Sequence, residues 1–293
     1  MKVRIAAVQY SLRPISDWDD FEHQVRLALK AAAQEKPDFV LLPENLTNQL
    51  LSFMDADNDL RAAVRRLHDF TPHYLDLMAG LARQYGCYLI AGSHLNLREG
   101  LLYNTAFMFS PRGDAYMQDK IHRTRMESEE WGTAGGDKMH VFQTDHCAIS
   151  ILICYDVEFP ELARQVCEAG ADILFVPSFT GSRQGYLRVR NCAQARTIEN
   201  QVFVAMTGTV GSLPVEGLGM HYGQASIMTP SDFAFPRDGI AAEGVINAEQ
   251  VVVADVDLDA LAQNRRDGST MPMRDMRPAV YRNPVEVVSA RGN

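Results

Sequence analysis

The chain has 293 residues, 46% hydrophobic and 22% charged, enough apolar material to bury a substantial core and too much for disorder. A formal net charge of −9 argues against a nucleic-acid partner, because such grooves neutralise phosphates with Lys and Arg; a small-molecule partner is expected instead. No run approaches the roughly 18 to 20 apolar residues of a membrane span, and the opening "MKVRIAAVQYSL" lacks a signal-peptide core, so a cytoplasmic protein without a membrane partner is expected.

From the N-terminus, "VRIAAVQY" alternates into a strand, "FEHQVRLALKAAAQE" has the spacing of an amphipathic helix, and "PDFVLLPEN" predicts a second strand running into Glu44. A helix between two strands implies a parallel pair and an α/β layer. "CYLIAGSHL" reads as another strand. "LYNTAFMFSPRGDAYMQDK" reads as a hairpin turning at Pro111-Arg112-Gly113-Asp114, with Lys120 just beyond it. A polar loop with Glu127, Glu129 and Glu130 then leads to "TAGGD".

In "ISILICYDVEFPELARQVCEAG" the β-branched run predicts a strand with Cys154 at its C-terminal end. Asp156 and Glu158 break that run, Pro160 suits the first turn of a helix, and Gly170 ends it. The next strand is "ADILFVPSFT". Its segment Asp172 to Pro177 resembles Asp38 to Pro43, which points to two similar half-sheets, one ending in Glu44 and the other in Ser178. A helix "RNCAQARTIEN" and the strands "QVFVAMTGTV", "GQASIMTP" and "EQVVVADVDLDAL" follow without a Gly- or Pro-rich linker, so one domain spanning 1–293 is expected. The tail 266–293 has no clear period and reads as either frayed or an arm packed on a partner subunit.

Glu44, Lys120 and Cys154 all fall at or just beyond strand ends, where open α/β sheets place ligands. Alone, each has an ordinary reading: an acid at a helix start, an edge-strand lysine, a small buried thiol. Together they supply acyl transfer, which needs a thiol nucleophile, a base for its proton and a positive group beside the developing oxyanion. Burial would raise the carboxylate's pKa toward the thiol's, and the lysine would lower it again. The five cysteines are scattered without C-x-x-C, and the eight histidines lack H-E-x-x-H, so neither disulfides nor a metal is expected, and the acyl-transfer chemistry itself requires no cofactor. Cys154 also lacks the glycine-flanked elbow of glutamine amidotransferases, lying between Ile153 and Tyr155.

"FVLLPEN", "QDKIH" and "LICYDVEFPE", in that order, resemble the three signature segments of the nitrilase superfamily of carbon-nitrogen hydrolases, and "AAVQ", "YNTAFMFSPRG" and "QARTIENQVFVA" extend the resemblance along nearly the whole chain. The resemblance implies an α/β fold, specifically an α-β-β-α sandwich, with Glu44 as general base, Lys120 as oxyanion stabiliser and Cys154 as nucleophile, assisted by the Tyr155 backbone N–H. It also implies a further catalytic glutamate: Glu127 by its spacing from Lys120 and Trp131-Gly132, with Glu129 the runner-up. Tyr155, Glu158, Phe159, Phe179 and Thr180 are the expected substrate-binding residues. His122 resembles a site-shaping position, and Arg196, Glu199 and Asn200 resemble a helix that holds the fold. "CYDVEFPE" favours an amidase or N-carbamoyl amidase, whereas "EEWG" leans toward a nitrilase; the amidase is preferred. A catalytically silent binding or scaffold member and a redox-active thiol are the alternatives from other classes. The resemblance further implies a homodimer or higher homo-oligomer that uses the C-terminal arm.

Overall fold

The computed structural model describes residues 1–54, 56 and 59–288. Strand β1 (Lys2–Leu12), helix α1 (Trp18–Ala33) and strand β2 (Phe39–Leu41) form the expected opening unit, and β1 and β2 run parallel. Asp17 caps α1 by accepting the Asp20 N–H, a bond that satisfies one of the helix's free donors. A 3-10 segment (Leu46–Phe53), α2 (Leu60–Arg66) and α3 (Thr71–Tyr85) follow. No expectation covered this stretch, although α3 buries Tyr74, Leu77, Met78, Leu81 and Ala82 at helical spacing and stops at Gly86, which takes a positive φ.

Strands β3 (Tyr88–Arg98), β4 (Leu101–Phe109) and β5 (Ala115–Asp119) complete one sheet in the order β5-β4-β3-β2-β1. The two-residue strands β6 (Thr133–Ala134) and β7 (Phe142–Gln143) lead to β8 (Ala148–Ile151), α4 (Pro160–Glu168), β9 (Ile173–Ser178), α5 (Arg183–Asn200) and β10 (Phe203–Ser212). Strands β8, β9 and β10 are parallel. The pair β11 (Met220–His221) and β12 (Ser226–Met228) adds to β10, β13 (Ile240–Glu243) adds to β12, and β14 (Gln250–Asp257) returns antiparallel to β1. The seam between the sheets is β1 itself. Lys2 to Gln9 face β14, whereas Tyr10 to Leu12 pair with β10.

Side-chain alternation builds the layers. Val3, Ile5, Phe39, Leu41, Tyr88 and Ile90 join Ile149, Ile151 and Phe175 in one core between the sheets, where the Phe39 and Phe175 rings lie 5.4 Å apart. The alternate residues Ala6, Val8, Val40, Leu42, Leu89 and Ala91 pack instead with α1 and α3. On the other side, Ala163 and Val166 of α4 and Val189 and Ala193 of α5 cover the second sheet. The result is an α-β-β-α sandwich, as expected. Burying each large apolar side chain contributes about 1.5–3 kcal/mol.

After α6 (Leu258–Asp267) the chain makes two short helical turns, Pro272–Asp275 and Pro278–Tyr281, and then continues exposed to residue 288. The last five residues of the expected arm lie outside the described residues. Among those described, no helix is long and apolar enough to cross a membrane.

Candidate active site

The loop after β2 is set by a close approach. Gly92 of β3 has φ +73°, and a Cβ there would stand 1.9 Å from the Pro43 carbonyl oxygen, so only glycine lets β3 pass beneath the turn. The β3–β4 register shifts at this point. Asn45 takes a positive φ of 52° and donates its N–H to Ser93 Oγ at 2.9 Å. Glu44, between Pro43 and Asn45, is thereby held inside the protein at 1% exposure.

Lys120 leaves the end of β5. Its N–H donates to the Asn104 carbonyl, and its own carbonyl accepts from Gly136, both at 2.8 Å. The ammonium Nζ donates to Glu44 Oε1 at 2.8 Å and to Glu127 Oε2 at 2.7 Å. Glu127 comes from a single π-helical turn, Met126–Trp131, in what the sequence suggested was plain loop. Its Oε2 also accepts from the Thr124 N–H and hydroxyl. Glu129, the runner-up, is exposed and pairs with Arg125, away from the lysine.

Asn104 was not anticipated. Its Nδ2 donates to Glu44 Oε1 and to Glu127 Oε1, each at 2.8 Å, so one amide spans both carboxylates. The available signal was a polar side chain in the apolar hairpin "LYNTAFMF".

Strand β8 ends at Ile151, three residues before Cys154, where the strand was expected to end, and Cys154 opens a 3-10 turn, Cys154–Glu158. Its φ of +48° is costly for a residue with a Cβ, and such strain clusters at functional sites. The turn is clamped from below. Buried Arg196 donates from Nε to the Val157 carbonyl and from Nη2 to the Glu158 carbonyl. Asp156 accepts the N–H groups of Ile121 and His122, which ties the thiol's turn to the lysine's strand end. The sequence reading had noted Asp156 only as a break in an apolar run.

Two acids and one lysine, all buried, leave one negative charge unmatched. The electrostatics place the deficit on Glu44. Burial pushes its carboxyl up to about 7 despite Lys120, and Glu127 adds to the rise. Burial also acts upward on Glu127, but Lys120 and the Asn104 and Thr124 donors outweigh it and hold that carboxyl below its ordinary value. Burial opposes the charge on Lys120, yet Glu127 and Glu44 hold its pKa well above normal. The Cys154 thiol is pushed well above its ordinary value by burial and by Glu44. At rest the site is therefore a thiol, an ammonium, a fixed carboxylate and one carboxyl poised near neutrality.

These groups line a cavity of about 560 Å³ with Tyr155, Glu158, Phe179 and Thr180 in its wall. Phe159 departs from expectation: it is absent from the wall, and its ring stacks on His122 at 3.5 Å because the chain has already turned toward α4. Arg123 and Arg188 also line the cavity and were not anticipated. Among the described residues no group of three or more metal-ligating side chains is present.

The carbon-nitrogen hydrolase family matches residues 4–266. A "probable hydrolase YhcX" of Bacillus subtilis is 43% identical over 95% of this chain, which spans only 54% of that protein's length. An "omega-amidase NIT2" of Xenopus tropicalis is 27% identical over 94% of this chain and 95% of its own. The crystal structure of Saccharomyces cerevisiae Nit3, described as a nitrilase-superfamily member, covers 94% of this chain and 97% of its own with a TM-score of 0.77 at 23% identity, a likeness of fold.

Proposed function

This chain belongs to the carbon-nitrogen hydrolase family, and on that premise we propose that it is a cysteine-dependent amidase acting on a small amide through a thioester. The observation that carries the reading is the shared lysine: Lys120 joins Glu44 and Glu127 at 2.8 and 2.7 Å beside the Cys154 thiol, and only Glu44 is tuned near neutrality.

In this reading Glu44 takes the Cys154 proton and the thiolate attacks the amide carbon. The carbonyl oxygen gains charge against Lys120 Nζ and the Tyr155 N–H, which sits at the start of a 3-10 turn where backbone donors lack intrahelical partners. Glu44 then protonates the nitrogen as the C–N bond breaks, and ammonia or an amine departs. Water, losing its proton to Glu44, attacks the thioester and releases the acid and the thiol. A carboxyl near 7 suits both directions of proton transfer. Glu127 keeps Lys120 charged throughout. The omega-amidase relative supports an amide over a nitrile as the substrate.

The test is intact-protein mass spectrometry of wild type and Cys154→Ala mixed with short amides, N-carbamoyl amines and nitriles, with ammonia release followed in parallel. An acyl adduct on wild type alone, with ammonia from amides, is the expected result. Adducts from nitriles only would move the assignment to a nitrilase. Ligand binding without adduct or ammonia would favour a silent binding member.

A further inference from the structure

Glu158 holds only a loose ion pair in the cavity wall, with Arg188. Its side chain is 17% exposed, and the nearest cation, Arg188 Nε, stands at 3.7 Å, beyond hydrogen-bond reach. Among the described residues its carboxylate has no hydrogen-bond donor. Its backbone, by contrast, is fixed by Arg196, so the carboxylate is presented from a rigid base. Desolvation raises its pKa and only Arg188 and Lys120 oppose that rise.

Arg188 is open in the complementary sense. It lies on α5, 65% exposed at the cavity rim, with no hydrogen bond to a carboxylate. The other arginines of the wall are committed: Arg125 to Glu129 at 2.7 Å, and Arg123 Nη1 to the Thr133 carbonyl at 2.8 Å. Gly181, Ser182 and Gly185, around the first turn of the 18-residue α5, also face the cavity. The positive end of that helix adds to Arg188 in favouring an anion there.

We propose that Glu158 and Arg188 form a paired-charge subsite for the ammonium and carboxylate of an amino-acid-like head group, so that the amides hydrolysed are zwitterionic at the end remote from the scissile bond. The inference rests on the amidase reading and names the substrate class for the same cavity. A purely cationic amide would satisfy Glu158 but face Arg188 with like charge. A purely anionic one would satisfy Arg188 and leave Glu158 repelled. Only a ligand bearing both charges gives each group a hydrogen-bonded counter-charge; a singly charged one sets a like charge against the other member of the pair.

The experiment compares four primary amides of matched chain length: glutamine, γ-aminobutanamide, glutaramic acid and butanamide. Wild type is expected to show kcat/KM for glutamine at least about tenfold above each of the others, the discrimination that about 1.4 kcal/mol supplies. Glu158→Gln should reduce the glutamine to glutaramic acid ratio about tenfold, and Arg188→Gln the glutamine to γ-aminobutanamide ratio similarly, each with thermal unfolding checked for an intact fold. Equal rates across the four amides, a preference for a singly charged one, or ratios unmoved by both variants would overturn the proposal. Calorimetric binding of the same compounds to Cys154→Ala, with and without Glu158→Gln, separates the two readings. Charge-selective binding without any turnover by wild type would reject the amidase assignment while sustaining the subsite, and turnover or binding blind to charge would reject the subsite.

Discussion

Strands β2 and β9 repeat one construction. Each lies between two parallel neighbours, and each is preceded by an aspartate that ties it to the next strand. The Asp38 N–H donates to the Arg4 carbonyl while the Asp38 carboxylate accepts the Arg4 N–H at 2.7 Å; Asp172 does the same with Ala148, the second bond longer at 3.4 Å. Each also reaches a proline, and the residue after it is 1% exposed in both. There the likeness ends. The first half places Glu44 on Lys120, whereas the second places Ser178, whose hydroxyl turns back to the Val176 carbonyl at 3.3 Å. A duplicated backbone device thus serves two ends: one half-sheet supplies Glu44, Lys120, Asn104 and Glu127, and the other supplies the thiol turn and much of the cavity wall.

The sharpest way to break this comparison is to neutralise both post-proline residues. Glu44→Gln keeps the shape and removes the proton acceptor, so kcat/KM is expected to fall by about 10²–10⁴, the range for loss of a general base. Ser178→Ala removes a hydroxyl that touches only backbone, and its kcat/KM should stay within about tenfold of wild type. Steady-state ammonia release measures both. Equal losses would mean that the two strand ends share the chemistry.

A second contrast lies within the first half, between the two carboxylates on one lysine. Activity requires Glu44 ionised, so log kcat/KM should fall with unit slope as pH drops below about 7. Removing Glu127's charge with Glu127→Gln takes away one of the causes raising Glu44, so the acid limb should move to lower pH while the plateau falls. A limb that moved upward would show that loss of Lys120's counter-ion dominates. The same raised carboxyl has a stability consequence. Glu44 is protonated in both folded and unfolded chains below about 4.5; between there and about 7 the unfolded chain has released a proton that the folded one retains. This group's contribution to stability is therefore full below about 4.5 and is lost as pH rises toward 7, after which it is flat.

The legible parts of the site were those with a local cause. The parallel units could be read from apolar periodicity, and the positions of Glu44, Lys120 and Cys154 from charge or a thiol interrupting a strand. Helix α3 was legible in principle by its spacing and went unread. Asn104 and Asp156 were not, because their roles are set across the sheet: Asn104 meets Glu44 60 residues away, and Asp156 meets His122 at a separation of 34. Glu127 could be placed only because its spacing from Lys120 and Trp131-Gly132 resembles the nitrilase pattern, and its burial depends on a π turn that anchors Trp131 in the core, which no local pattern announces. That Glu158 has a loose ion pair with Arg188 and, among the described residues, no hydrogen-bond donor is likewise a property of what surrounds it in space.

The smallest expected effect concerns the aspartate staples. Asp38→Ala and Asp172→Ala each remove a carboxylate that accepts a neighbouring strand's N–H, and the net value of such a bond is about 0.5–1.5 kcal/mol. The short Asp38 bond to Arg4 should be worth more than the 3.4 Å bond of Asp172. Asp172, however, also holds Arg265 of α6 at 2.7 Å, a partly exposed pair that adds roughly 0–1 kcal/mol. The two losses should therefore come out nearly equal by urea unfolding, though for different reasons, and Arg265→Gln tells them apart: it should remove most of the additional effect of Asp172→Ala and none of that of Asp38→Ala. Were Asp38→Ala also to depress kcat strongly, the staple would be setting the position of Glu44, six residues on, and the two halves would differ in their backbone as well as in their chemistry.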